Sequence, residues 1–163
     1  MTEPDEVDRL VAAWRCERPD LDVAPLEVLS RVTRLARHLD LARRDAFSTH
    51  NLETWEFDVL AALRREGHDL SPGALLTQTL VTSGTMTNRI DRLAARGLVE
   101  RLPDESDRRG VLVRLTEPGR RTVDAALTDL LAREHQILAS MAEPDRVRLA
   151  AMLRELVRPF DDA

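Results

Sequence analysis

Ser83, Thr85, Thr87 and Asn88, followed by Arg89, open a segment, SGTMTNRIDRLAARG, whose apolar residues Met86, Ile90, Leu93 and Ala94 recur at helical spacing. Hydroxyl groups reach bases or phosphates over a short distance, an asparagine amide matches the edge of adenine, and an arginine fork matches that of guanine. In the first half of a helix, where unpaired backbone N–H groups also attract phosphate, such a set has the chemistry of a DNA major-groove reader. Downstream, the linker PDESDRR puts Arg108 and Arg109 beside Asp107. An arginine at a hairpin tip suits a narrow A·T-rich minor groove, with the aspartate holding its guanidinium in place. Taken singly, these residues would serve equally to cap a helix or solvate a hairpin; their order along the chain is what points to DNA.

Periodicity supplies the elements that must carry them. Asp5 to Glu17 predicts a short amphipathic helix with Val7, Leu10, Val11 and Trp14 on one side, closed by Pro19. Pro25 opens a long helix with a stripe of Leu26, Leu29, Val32, Leu35 and Leu39, ending near His50-Asn51. A third helix runs from about Thr54 to Arg65, with Trp55, Val59 and Leu63 on its buried face and Gly67 as terminator. Ser71 and Pro72 start a short helix, a break at Val81-Thr82 follows, and Ser83 caps the polar helix that Gly97 ends. LVERL and GVLVRL alternate apolar and polar residues and predict an antiparallel hairpin. Two amphipathic helices complete the chain, from Thr116 to about Met141 and from Glu143 to about Phe160. Short helix, tight break, polar helix and charged hairpin make a winged helix-turn-helix within a mainly α fold.

Charge is distributed to match. The formal net charge is −5, which by itself disfavours polyanions. Met1 to Ser30 carries eight acidic residues and three arginines, whereas Thr85 to Arg121 carries nine arginines and six acids. All basic residues are arginine and tyrosine is absent, a bias of composition rather than of function. Cys16 is the only cysteine, and His38, His50, His68 and His135 are scattered without ligand spacing, so neither a disulfide nor a metal site is expected. The glycines form no phosphate loop and no nucleophile sits in a catalytic motif, so neither a cofactor nor an enzyme is expected. No apolar run spans a membrane, and the acidic start is unlike a signal peptide, so the expected location is the cytoplasm.

The stretch TSGTMTNRIDRLAARGLVERLPDESDRRGVLVRLTEPGR resembles the core of the MarR family of bacterial regulators. The resemblance is dense from Leu52 to about Arg121 and looser in the flanking helices. It implies an intertwined homodimer through the N- and C-terminal helices, reading a pseudo-palindromic operator in double-stranded DNA. On this reading residues 1–50 serve dimerisation and the ligand pocket, 51–116 form the winged helix-turn-helix, and 117–163 add dimerisation helices, all within one structural domain. The tryptophan-bearing first helix, ERPDLDVAPLEVLSRVTRLA and WEFDVLAALRREG further resemble the branch that responds to urate or related anionic metabolites. By that resemblance Trp14, Asp58, Arg89 and Arg101 are the ligand residues, the effector being purine-like or a small polycarboxylate. The apolar neighbours of Asp58 predict that it is half-buried and needs a cation, for which Arg89 is a candidate. The expected function is a repressor released from its operator by an anionic small molecule. Alternatives are a thiol sensor using Cys16 beside Arg15 and Arg18, although sensing relatives carry tyrosines around their cysteine, and a ligand-independent winged-helix protein.

Overall fold

A computed structural model describes residues 3–79, 83–104 and 110–161, and of Ser83 the backbone. The expected break at Val81-Thr82 and the hairpin-tip residues Asp107, Arg108 and Arg109 lie outside the described residues. The chain divides into two compact units, one up to Arg44 and one from Asp45 onward.

In the first unit, α1 (Glu6–Glu17) faces the beginning of α2 (Ala24–Ser48). Val7, Val11 and Val23 are buried between them and Leu26 packs against that cluster. Asp5 caps α1 in a reciprocal box with Asp8, and the carboxylates of both are bound by Arg31 of α2, at 2.9 and 2.7 Å. This combination satisfies orphan N–H groups at the helix start and fixes α1 on α2. The Arg31 guanidinium holds the Asp5 carboxyl down from its usual 3.8 to about 2. The middle of the expected stripe stays in the open, with Leu29, Val32 and Leu35 exposed, whereas Leu39 is half-buried.

In the second unit, Phe47, near the end of α2, stacks on Phe57 of α3 (Thr54–Glu66) with ring centroids 4.0 Å apart. The long helix stops at Ser48, short of His50, because Asn51 turns into the left-handed region at φ 53°. Around this pair lie α4 (Pro72–Thr79), α5 (Ser83–Ala95), the hairpin β1 (Val99–Pro103) and β2 (Val111–Leu115), and α6 (Glu117–Ile137). Leu60, Leu75, Met86, Ile90, Leu93 and Val113 are fully buried, each burial of such a side chain contributing about 1.5–3 kcal/mol. The strands pair antiparallel from Val99 opposite Leu115 to Pro103 opposite Val111. Leu70 adds a single bridge to Val113, a third sheet member one residue long that no pattern of alternation could reveal.

The hairpin is joined to α6 at close quarters. The Thr116 hydroxyl accepts from the Gly119 N–H and donates to the Gly97 carbonyl, capping α6 while binding the end of α5. A Cβ on Gly119 would stand 2.0 Å from the Leu98 carbonyl oxygen, so only glycine lets α6 approach the chain this closely. Helix α6 stops at Ile137, and α7 (Glu143–Asp161) follows a turn. Its residues include none that is buried, and Phe160 is 80% exposed.

Gly119→Ala should lower stability by about 2 kcal/mol or more, because backbone rather than a flexible side chain must yield, and thermal unfolding will read it. Since the Asp5 carboxyl is held below its ordinary range, its contribution is complete above the unfolded value of about 3.9 and is lost as pH falls through the folded value. Hydrogen exchange in α1 should therefore rise between about pH 4 and pH 2 in the wild type and already be elevated in Asp5→Asn.

Candidate nucleic-acid interface

Helix α5 buries Met86, Ile90 and Leu93, the i, i+4 and i+7 positions, and this leaves Gly84, Thr85, Thr87, Asn88 and Asp91 exposed. Of the polar set expected from the sequence, Thr85, Thr87 and Asn88 therefore lie on the open side of the first half of the helix, Arg89 is half-buried, and the Ser83 side chain lies outside the described residues. Helix α4 precedes it, capped by the Ser71 hydroxyl on the Ala74 N–H and anchored by buried Leu75. Gly97, at φ 68°, terminates α5 and turns the chain into β1.

Two sets of charges brace α5. On one flank Arg89, Arg92 and Arg96, spaced three and four residues apart and so on one side of the helix, meet the start of α3. Arg96 binds the Glu56 carboxylate at 2.6 Å and donates to the Asn51 carbonyl at 2.8 Å. Glu56 is only 2% exposed, and its second task is to accept from the Glu53 N–H in the capping box of α3. Arg92 pairs with Glu53 at 3.0 Å, and the other oxygen of that carboxylate accepts the Trp55 indole N–H at 2.7 Å. The indole hydrogen bond and then the Arg92 guanidinium hold the Glu53 carboxyl below its usual range, with burial opposing them. The guanidinium carbons of Arg92 and Arg89 lie 4.7 and 5.3 Å from the centre of the Trp55 ring, within cation–π range. On the other flank Arg101 of β1 binds Asp91 at 2.7 Å and reaches the Thr87 carbonyl at 3.5 Å, tying the hairpin to α5.

The residues assigned to the effector are distributed as follows. Asp58 is half-buried on α3, Arg89 is half-buried on α5 over Trp55, and Arg101 is exposed on β1 against Asp91. Trp14 belongs to the first unit, 48% exposed on α1. Cys16, also on α1, is exposed; the flanking Arg15 and Arg18 are ion-paired with Glu27 and Asp20, so the positive charge beside the thiol is compensated. Sequence reasoning missed Glu53, Glu56, Arg92 and Arg96. The spacing of the three arginines was a legible signal of one helical face, but their carboxylate partners lie some forty residues away. Trp55, expected on the buried face of its helix, is only half-buried because its N–H reaches out to Glu53.

The sequence pattern of the MarR family matches residues 50–110. The HTH-type transcriptional regulator PecS of Dickeya dadantii is 37% identical over 150 residues, covering 91% of this chain and 90% of PecS. Among solved structures, a MarR family protein from Bacillus stearothermophilus superposes with a TM-score of 0.74 at 25% identity, covering 86% of this chain and 99% of that one. BpsR of Bordetella bronchiseptica, whose DNA binding is regulated by 6-hydroxynicotinic acid, gives a TM-score of 0.67 at 27% identity, over 79% of this chain and 91% of its own.

Removing the cation from the Glu56 pair should be costly, because an anion stripped of its partner stays in the core. Arg96→Ala is expected to lower stability by about 2–3 kcal/mol, whereas Glu56→Gln, which leaves a neutral amide, should cost less. Equal losses in chemical denaturation would mean that the pair matters only as packing.

Proposed function

The chain belongs to the MarR family of DNA-binding transcriptional regulators and is not an enzyme, and on that premise we propose that it is a homodimeric repressor which an anionic small molecule releases from its operator. The exposed, braced α5 is the observation that carries the DNA reading. Thr85, Thr87 and Asn88 stand open on its first half, and Ser83 and Arg89 complete the proposed base- and phosphate-contacting set. Arg108 and Arg109 are assigned to the minor groove at the hairpin tip. That tip follows a recognition helix tied to its own hairpin through Asp91 and Arg101, so helix and wing would approach DNA as one body.

Homodimerisation is supported by apolar surface that one chain leaves uncovered. Helix α7 is amphipathic yet has no buried residue, and Val147, Met152, Leu156, Val157 and Phe160 are exposed along it. Leu127 and Leu131 on α6 and Val28, Leu29, Val32 and Leu35 on α2 are exposed as well. Uncovered apolar faces of this kind mark interaction surfaces, and a second copy supplies identical ones. A two-fold dimer reads two half-sites of a pseudo-palindrome about one helical turn apart.

For the effector, the proposal assigns Arg89, Arg101 and Asp58, with Trp14 resting on the family resemblance. Both arginines are already engaged with groups that hold α5, Arg89 with Trp55 and Arg101 with Asp91. An anion that recruits them competes with those contacts and shifts the recognition helix, which provides the differential binding that coupling between two sites requires. A planar acid such as the 6-hydroxynicotinic acid that regulates BpsR, a purine such as urate, or a polycarboxylate would each engage two guanidinium groups. The α1 thiol offers a weaker route, since its neighbouring arginines are neutralised by carboxylates.

The test is a titration of the protein against the DNA upstream of its own gene at fixed salt, with and without urate, xanthine, citrate and aconitate. Palindrome-centred binding that one compound weakens is the expected result. Binding that no compound alters would remove the effector assignment, and uniform binding to any duplex would remove the repressor. Arg108→Ala should weaken operator binding by about 1–3 kcal/mol if that side chain reads the groove.

A further inference from the structure

The two guanidinium groups over Trp55 are held in different ways. Arg92 both approaches the ring and spends a donor on the Glu53 carboxylate at 3.0 Å. Arg89 lies 5.3 Å from the ring centre, and a cation over an aromatic face is held by the ring's quadrupole without consuming any N–H donor. A guanidinium so held keeps its planar fork for a guanine edge or a phosphate. The ring is itself fixed, because its N–H is bonded to Glu53 at 2.7 Å and that carboxylate is bonded in turn to Arg92. Helix α5 is locked to the same start of α3 by Arg96 on Glu56. Platform and arginine therefore share one frame.

We propose that Trp55 is a positioning residue for DNA recognition: its indole holds the Arg89 guanidinium in a set approach that, among the described residues, uses none of its N–H donors and so leaves them to DNA. An arginine waving in solvent surrenders its rotamer freedom when it binds, and one already settled on a ring has surrendered part of it beforehand. Arg92 completes the device as the cation that secures the carboxylate behind the ring. The proposal rests on the reading of Arg89 as a DNA contact.

A double-mutant cycle tests it. Wild type, Trp55→Leu, Arg89→Ala and the double variant are titrated by fluorescence anisotropy against the upstream duplex and against a scrambled duplex at one salt concentration. Trp55→Leu should weaken operator binding about threefold to tenfold when Arg89 is present, and less than about twofold when it is alanine. Thermal unfolding of each variant confirms that it is folded. If Trp55→Leu does not fold, the cycle is run with Trp55→Phe, a weaker cation platform, which should give a smaller coupling of the same sign. Equal losses from the Trp55 change in both Arg89 backgrounds would overturn the proposal, leaving the ring as packing. If Arg89→Ala by itself costs nothing, the assignment of Arg89 to DNA falls and the proposal falls with it. If the wild type does not distinguish the two duplexes, the operator-binding reading has failed at a different point.

Discussion

A carboxylate in the protein interior must be compensated, and the way Glu56 meets that requirement organises the second unit. Its partner, Arg96, directly follows the last residue of α5, the helix proposed to face DNA. Burying Glu56 thus obliges the start of α3 and the end of α5 to meet. The Arg96 guanidinium also donates to the Asn51 carbonyl, so the turn that separates α2 from α3 is drawn into the same arrangement. Desolvating two charges is expensive, and a pair of this kind is a poor source of net stability compared with apolar packing. What it supplies here is registry: an apolar contact between α3 and α5 would tolerate a slide along the helix axis, whereas a buried carboxylate tolerates only the position at which its cation arrives.

From that junction the other braces follow in sequence. Arg92 and Arg89 lie one and two turns closer to the open end of α5, over Trp55 and Glu53, and Asp91 projects to meet Arg101 of the hairpin. The recognition helix is held through polar contacts on its flanks and apolar contacts beneath. Its exposed strip consists of small side chains that can approach another surface closely. Much of the positive charge on α5 is occupied in fixing the helix, and the strip proposed to face DNA offers short hydrogen-bonding groups instead. Under the proposed function the same arrangement would make the helix responsive, because the cations that brace it are those an anion would seek.

The two units differ in how much of their apolar surface one chain covers. The second has a filled core built from α3, α5, α6 and the hairpin. In the first, a small cluster around Val7, Val11 and Val23 secures α1 on α2, and Leu29, Val32 and Leu35 further along α2 remain open; in the second, α7 likewise has no buried residue. Amphipathicity in α2, α6 and α7 therefore encodes two different things, packing within the chain and surface left for another.

Much of this was written in the sequence because it depends on near neighbours. Helix periodicity, the helix starts at Ser71 and Thr116, the terminating glycines Gly67 and Gly97, and the alternation of β1 and β2 are local, and each reports the element it belongs to. The order of those elements and the polar opening of α5 identified the winged helix-turn-helix. The tertiary structure decided which charges meet. Glu53, Trp55 and Glu56 stand far from Arg92, Arg89 and Arg96 in the chain, and nothing in the composition of either segment selects the other as partner. The need for glycine at position 119 was equally hidden, since the atom that excludes a side chain there is the carbonyl of Leu98. Local propensity is set by a residue and the few that follow it, whereas pairing across the fold is settled only once the core has brought distant segments within hydrogen-bonding reach.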